Sequence, residues 1–324
     1  MKNLQNVLLF IGLIALLVYN IWDKLEEGKR LNIAYQAGIE LTNITLPDSI
    51  DFCEEHVPLK EPDIREKLDE ELHRNIDGKF GVQILMKRAN RWYPKIEPIL
   101  ESYGIPDDFK YLVAIESAIS NKESPVGAVG FWQFMELTGK EFGLEINEEI
   151  DERYDPLKST VAACKFFKQA YERLNNWTLV AAAYNRGMSG IERELKKQKA
   201  SSYYDLYLNK ETSEYVYKII AFKEVYVRPE KYNLTLKKRN LYLLEKIDYI
   251  EVTENVSDLV EFATQRGISY KQLKMSNPWL VGNSLTIEGK DKKYFIALPQ
   301  SVSEDNPLKI DTEINEILSD SIAD

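Results

Sequence analysis

Histidine and cysteine are almost absent from this chain: among 324 residues there are two of each, His56 and His73, Cys53 and Cys164. A closed zinc site or a disulfide scaffold has no raw material here, so no metal and no cofactor is expected. No basic block is present either, and 42 lysines and arginines against 52 acids leave a net charge of −10. That is the wrong sign for a partner whose phosphates must be neutralised, and nucleic acid is not an expected partner. The 15 glycines form neither G-x-G-x-x-G nor G-x-x-x-x-G-K-[ST], which removes the usual signatures of dinucleotide and nucleotide sites. Long apolar runs are confined to one stretch near the N-terminus, so a multi-span membrane protein does not fit. Carboxylate, amide and tyrosine are what the chain has in quantity.

The single apolar run, Val7 to Trp22, reads VLLFIGLIALLVYNIW and follows Lys2. It lies between the length of a secretory core and that of a full bilayer span. No small-x-small cleavage site and no lipid-attachment cysteine follow it, so residues 1–22 are expected to be an uncleaved signal anchor, with a cleaved signal peptide as the alternative. Flanking positive charges stand on both sides, and the positive-inside count does not decide the orientation.

A length of 324 residues suggests about two domains. Residues 23–63 suggest a charged helical stalk followed by a linker, Leu46 to Pro62, that carries Pro47, Pro58 and Pro62. From Ile64 to Tyr226 the apolar spacing is helical nearly throughout, with stops at Asp77-Gly78, Tyr93-Pro94, Gly104-Ile105-Pro106, Gly143 and Gly187. This predicts a mainly α domain over 64–230. Over 241–300 the ends turn β-rich, LYLLEKI with IEV and later KKYFIAL, around two short helical stretches: a small α/β module. The last segment, 301–324, has one lysine and seven acids and reads as a solvated acidic tail.

Four segments carry chemistry. In PDDFKYLVAIESAI, Pro106 with Asp107 and Asp108 suits a helix start. Phe109, Leu112, Val113 and Glu116 then fall at i, i+3, i+4 and i+7, which aims a carboxyl group along an apolar face. Burial raises a carboxyl pKa and keeps a general acid protonated near neutrality; a structural glutamate satisfied by an arginine gives the same pattern. SPVGAVGFWQFM places Gly127 and Gly130 where backbone can approach a ligand closely, followed by Trp132 and Gln133, a flat apolar face beside an amide. A glycine-rich turn around a core tryptophan explains the same letters. AAAYNRGMSG packs small residues ahead of Tyr184, Asn185 and Gly187, and ETSEYVYKII puts Tyr215 on a helix, where tyrosine is by default a core residue.

In their order and types these segments resemble the family 1 lytic transglycosylases over about Ile64 to Pro229. The resemblance rests on the E-S pair Glu116-Ser117, G-x-x-G-x-W-Q from Gly127 to Gln133, D-x-R-x-D-P with S-T-x-A-A from Asp151 to Ala163, Y-N-x-G from Tyr184 to Gly187, and E-T-x-x-Y-V from Glu211 to Val216. It implies a lysozyme-like, goose-type α fold and a lyase acting on peptidoglycan, which cleaves the β-1,4 bond between N-acetylmuramic acid and N-acetylglucosamine and leaves 1,6-anhydromuramic ends. Glu116 is then the single catalytic acid and base, and Ser117, Gln133, Tyr184, Asn185 and Tyr215 line the glycan groove. The implied partners are peptidoglycan strands and, through residues 7–22, the inner membrane; the implied location is the periplasm. Two features depart from the family: the lipid-attachment cysteine is missing, and Asp248 to Pro299 carries only one weak LysM-like pattern, open to a glycan-binding or a purely structural reading. Cys164 lies inside a helical pattern and reads as a buried small residue rather than a partner for Cys53. Two rival readings are a goose-type lysozyme, with Glu136, Glu141, Glu145 or Asp151 activating water, and a non-catalytic cell-wall tether.

Overall fold

The computed structural model describes residues 24–26, 28–29, 44–234, 236–289 and 292–299. The anchor over 7–22 and the acidic tail over 301–324 lie outside the described residues. Among the described residues no helix is long and apolar enough to cross a membrane. The chain divides into two units, Met1–Pro47 and Asp48–Asp324. In the first, residues 24–26 and 28–29 are helical.

The second unit begins where the sequence suggested a linker. Residues Asp51–Phe52 (β1) and Glu55–His56 (β2) instead pair as a small antiparallel hairpin, closed by Cys53 and Glu54 at positive φ. Phe52, Val57 and Leu59 are buried, and the apolar surface they remove from water holds this proline-rich segment down despite its linker-like composition. Helix α1, Pro62–Asp77, starts with proline in its first turn and spaces Ile64, Leu68, Leu72 and Ile76 four apart on its buried side. It ends at Gly78, as the sequence suggested.

Helix α2, Lys79–Ser102, runs through both Pro94 and Pro98, so the expected stop at Tyr93-Pro94 is not observed. Each proline costs a helix about 3 kcal/mol. Tyr93, Ile96, Ile99 and Leu100 are all at most 1% exposed on this stretch, and their burial outweighs that cost. The segment 106–119 departs in the other direction: Asp107–Tyr111 is a 3₁₀ turn, and only Leu112–Ser117 (α3) is α-helical.

After the short α4, Glu136–Glu141, the long α5, Pro156–Leu174, is capped by Asp155, which accepts from the amides of Leu157 and Lys158. Helix α6, Trp177–Arg186, is capped by Asn176 and, across the fold, by the hairpin's Glu55, whose carboxylate accepts from the Trp177 and Thr178 amides at 2.6 and 2.8 Å. Ala181, Ala182 and Ala183 have no exposed surface and let α6 pack against α5, α7 (Met188–Gln198) and α8 (Lys210–Val227). Phe109, Trp132, Phe167 and Tyr184 form one aromatic core, with ring centroids 4.4 to 6.2 Å apart in the contacting pairs. Cys53 and Cys164 are both buried and free.

The α/β module is a two-stranded antiparallel sheet, β3 (Ile247–Val252) and β4 (Tyr294–Pro299), in register from Ile247 opposite Pro299 to Val252 opposite Tyr294. Between them stand α9, Leu259–Gln265, and α10, Tyr270–Ser276, the latter opened by a Ser269–Gln272 capping box. The strand begins only at Ile247, so LYLLEK before it is not part of the sheet. Leu259, Leu273, Leu280, Leu285 and Ile296 fill the module's core together with Ile150 from the helical domain. Buried Asn277 ties α10 to β4, donating to the Leu273 and Ala297 carbonyls and accepting from the Ala297 amide.

Candidate active site

Glu116 is the penultimate residue of α3, and the backbone just beyond it is strained. Ala118 and Ile119 both adopt left-handed φ, 55° and 53°, which is rare for a β-branched residue. The Ile119 amide reaches back to the Val113 carbonyl at 3.2 Å, and the Arg88 guanidinium donates to the Ala118 carbonyl at 2.8 Å. Ser117, with no exposed surface, spends its hydroxyl on the Val113 carbonyl and the Ser120 amide. Its visible work is to shape this turn, which ends α3 right after the carboxyl.

The Glu116 carboxyl accepts a hydrogen bond from the Tyr215 hydroxyl of α8. Burial pushes its pKa from the model-peptide value of 4.5 up to about 7; the Tyr215 hydrogen bond pulls it down and the negative charge of Glu211 adds to the rise. Tyr215 and Tyr184 are both held well above the ordinary tyrosine range, first by burial and then by the neighbouring Glu116 charge. Tyr184 donates its hydroxyl to the Trp132 carbonyl at 2.7 Å. Trp132 itself is fully buried, with its indole N–H on the Thr160 hydroxyl at 2.8 Å. It is therefore a core residue and offers no face to a ligand.

Gln133 sits at positive φ in the turn that follows Gly130. Its amide donates to the Gly130 and Lys122 carbonyls at 2.8 and 3.0 Å, while Val129 and Phe134 exchange backbone bonds across the turn. Gly130 is obligatory: at φ +83° a β-carbon would stand 1.8 Å from the Arg153 carbonyl oxygen. Gly130→Ala is expected to destabilise the fold by about 3 kcal/mol or more, measured as a lowered denaturation midpoint. An unchanged midpoint would show that this turn is free to move away from Arg153.

The structure therefore brings Glu116, Tyr215 and Tyr184 into mutual influence, and sets Gln133 one residue beyond the carbonyl that anchors Tyr184. Asn185 lies beside them, engaged with the first two residues of the E-T-x-x-Y-V motif, to which the sequence analysis gave no site role. Its amide donates to Glu211 at 2.9 Å and its carbonyl accepts from the Thr212 hydroxyl at 2.8 Å. Glu211 precedes Tyr215 by one helical turn, so the placement of Tyr215 on a helix already carried the signal that would have found it. Among the carboxylates weighed as second bases, Glu136 pairs with Lys140, Glu145 with Lys292, and Asp151 with Arg153. No group of three or more metal-binding side chains is clustered among the described residues. Chemically, the site holds a carboxyl that is half protonated near neutrality, poised by one phenol and biased by one further carboxylate.

The chain is 25% identical over 230 residues to membrane-bound lytic murein transglycosylase D of Escherichia coli K12 and equally to that of Escherichia coli O6:H1, covering 69% of this chain. It spans about half the length of these curated relatives, 50% of each. An inactive mutant of the lytic transglycosylase Slt from Pseudomonas aeruginosa matches at 21% identity with a TM-score of 0.36, over 47% of this chain and 26% of that one. Family models match both folded parts: residues 97–207 match the Transglycosylase SLT domain, a lysozyme-like domain, and residues 248–302 match the soluble lytic transglycosylase C-terminal LysM-like domain.

Proposed function

We propose that this chain is a lytic transglycosylase that cleaves the β-1,4 bond between N-acetylmuramic acid and N-acetylglucosamine in peptidoglycan and leaves 1,6-anhydromuramic ends. The observation that carries the reading is Glu116, whose carboxyl is raised to about 7 and meets the Tyr215 hydroxyl. Protonated, it donates its proton to the glycosidic oxygen as the bond to muramic C1 breaks and positive charge develops there. The carboxylate so formed then takes the proton of the muramic C6 hydroxyl, and O6 bonds to C1 within the same sugar. Glu116 regains its proton, so one residue serves as acid and then as base. Neither water nor a second carboxylate takes part.

Tyr215 steadies the carboxylate form between the two transfers. Gln133 and Asn185 supply amides at the groove, Asn185 being oriented by Glu211 and Thr212; Tyr184 orders the groove through the Trp132 carbonyl, and Ser117 shapes the turn behind Glu116. The division that fits this reading is a catalytic domain over 64–230 onto which the hairpin segment from Asp48 is packed, a LysM-like module over 241–300, and an N-terminal anchor and stalk confined to the residues before Asp48. The enzyme is placed in the periplasm, held at the inner membrane by residues 7–22. Digestion of purified peptidoglycan is expected to release muropeptides one water lighter than hydrolytic products and without a reducing end. Products with ordinary reducing ends would refute the assignment.

A further inference from the structure

We propose that the C-terminal module is a positioning element of the glycan groove, acting through Arg153, so that its docking sets how well even a short glycan is bound. This rests on the reading of the groove given above.

The connection is continuous and short. On the helical domain, the segment 145–151 is the module's seat. The Glu149 carbonyl accepts from the Val281 and Gly282 amides at 2.9 and 3.0 Å. Its carboxylate accepts from the Ser284 hydroxyl and, at 2.7 Å, from the Thr286 amide. Gly282 is present because a β-carbon there would stand 2.9 Å from the Glu149 α-carbon. Next in sequence, Ile150 is a member of the module's own core, and the Asp151 amide donates to the Trp279 carbonyl at 2.8 Å.

Asp151 then grips Arg153 with both oxygens, at 2.9 and 2.7 Å, and both side chains are about nine-tenths covered. A bidentate pair of this kind fixes the guanidinium plane as well as its position. Nη1 of Arg153 donates to the Gly127 carbonyl, two residues before the turn that carries Gln133, and to the Phe134 carbonyl at its far end, at 3.2 and 3.3 Å. The Arg153 backbone closes on Gly130 in the middle of that turn. From the turn, the Trp132 carbonyl holds Tyr184, which lies close enough to Glu116 to feel its charge. From Ile150 to Tyr184 each link is buried or half-buried, whereas the Glu149 clasp is exposed at Val281 and Thr286; none of it requires the module to touch glycan.

Two full-length variants test this on a short, soluble glycan of a few sugars. Arg153→Lys keeps the charge but removes the fork between Asp151 and the turn; Glu149→Ala removes the clasp at the seat while leaving the groove's own residues intact. Both are expected to raise KM about five- to tenfold with kcat changed less, since the loss is in ground-state and transition-state binding alike. A merely structural role would lower the active fraction, and with it kcat, at constant KM. Hydrogen exchange at the Val281, Gly282 and Leu285 amides reports whether Glu149→Ala has loosened the seat. If it has not, adding Gly282→Val forces it open. A parent-like KM in Arg153→Lys, or in a variant with a loosened seat, overturns the proposal. The parent enzyme is assayed alongside: its failure to make anhydro ends would strike the functional reading, whereas the ratio of variant to parent KM speaks only to the positioning.

Discussion

Replacing Glu116 by glutamine is expected to reduce turnover of peptidoglycan by at least about a thousandfold, because an amide can neither give a proton to the leaving oxygen nor take one from the C6 hydroxyl. The same substitution is expected to stabilise the protein at alkaline pH. A carboxyl whose folded pKa is raised from 4.5 to about 7 keeps its proton in the native state over a range where the unfolded chain has released it. Stability therefore falls as pH rises through that window, and the full penalty, up to roughly 3 kcal/mol, stands above pH 7. Glutamine carries no such penalty. The melting temperature of Glu116→Gln should exceed that of the parent at pH 8 and converge with it near pH 4. A variant that melts lower at pH 8, or one that melts higher yet still turns over, would remove Glu116 from the role assigned to it.

Much of the helical domain was legible because its signals are local. The glycine-flanked turn before Gln133 and the alanine run before Tyr184 and Asn185 follow from spacing and side-chain size alone, while Glu116 does fall at the end of a buried helix, a shorter one than its spacing implied because Phe109 lies in the 3₁₀ turn before it. What escaped depends on distant contacts. Leu46 to Pro62 has a linker's composition, yet Phe52, Val57 and Leu59 find a core to enter and Glu55 finds a helix end to cap. Pro94 obeys its local rule poorly because Tyr93 and Ile96 on either side are fully engaged in the interior. Trp132, attractive as a sugar platform, is claimed by Phe167 and Thr160 from α5. Glu211 and Thr212 matter through Asn185, 26 and 27 residues away, a pairing that only the packing of α6 against α8 creates. The same holds for Arg153, whose motif stood out in the sequence but whose fork joins the C-terminal module to the groove only in three dimensions.

Glu211 also separates the transglycosylase from a hydrolase. Among the described residues it is the carboxylate whose charge contributes to the raised pKa of Glu116, and a lysozyme needs a second carboxylate to activate water across the scissile bond. Glu211 is held by the amide of Asn185 and is positioned to orient that side chain. If it served as a base, Glu211→Gln would stop the reaction outright. In the transglycosylase it is expected to leave turnover within about tenfold of the parent, because the amide can still meet Asn185 and no water is activated. Removing its negative charge lowers the pKa of Glu116, so the alkaline limb of the kcat profile, where the general acid is lost, should shift toward lower pH. Products should keep their 1,6-anhydro ends and take up no oxygen from labelled water. Neutralising Glu136 or Glu141, which have no part in the Glu116 environment, should leave both rate and pH profile as they were. Complete loss of activity in Glu211→Gln, together with labelled oxygen in the products of the parent enzyme, would make Glu211 the missing base and the protein a lysozyme.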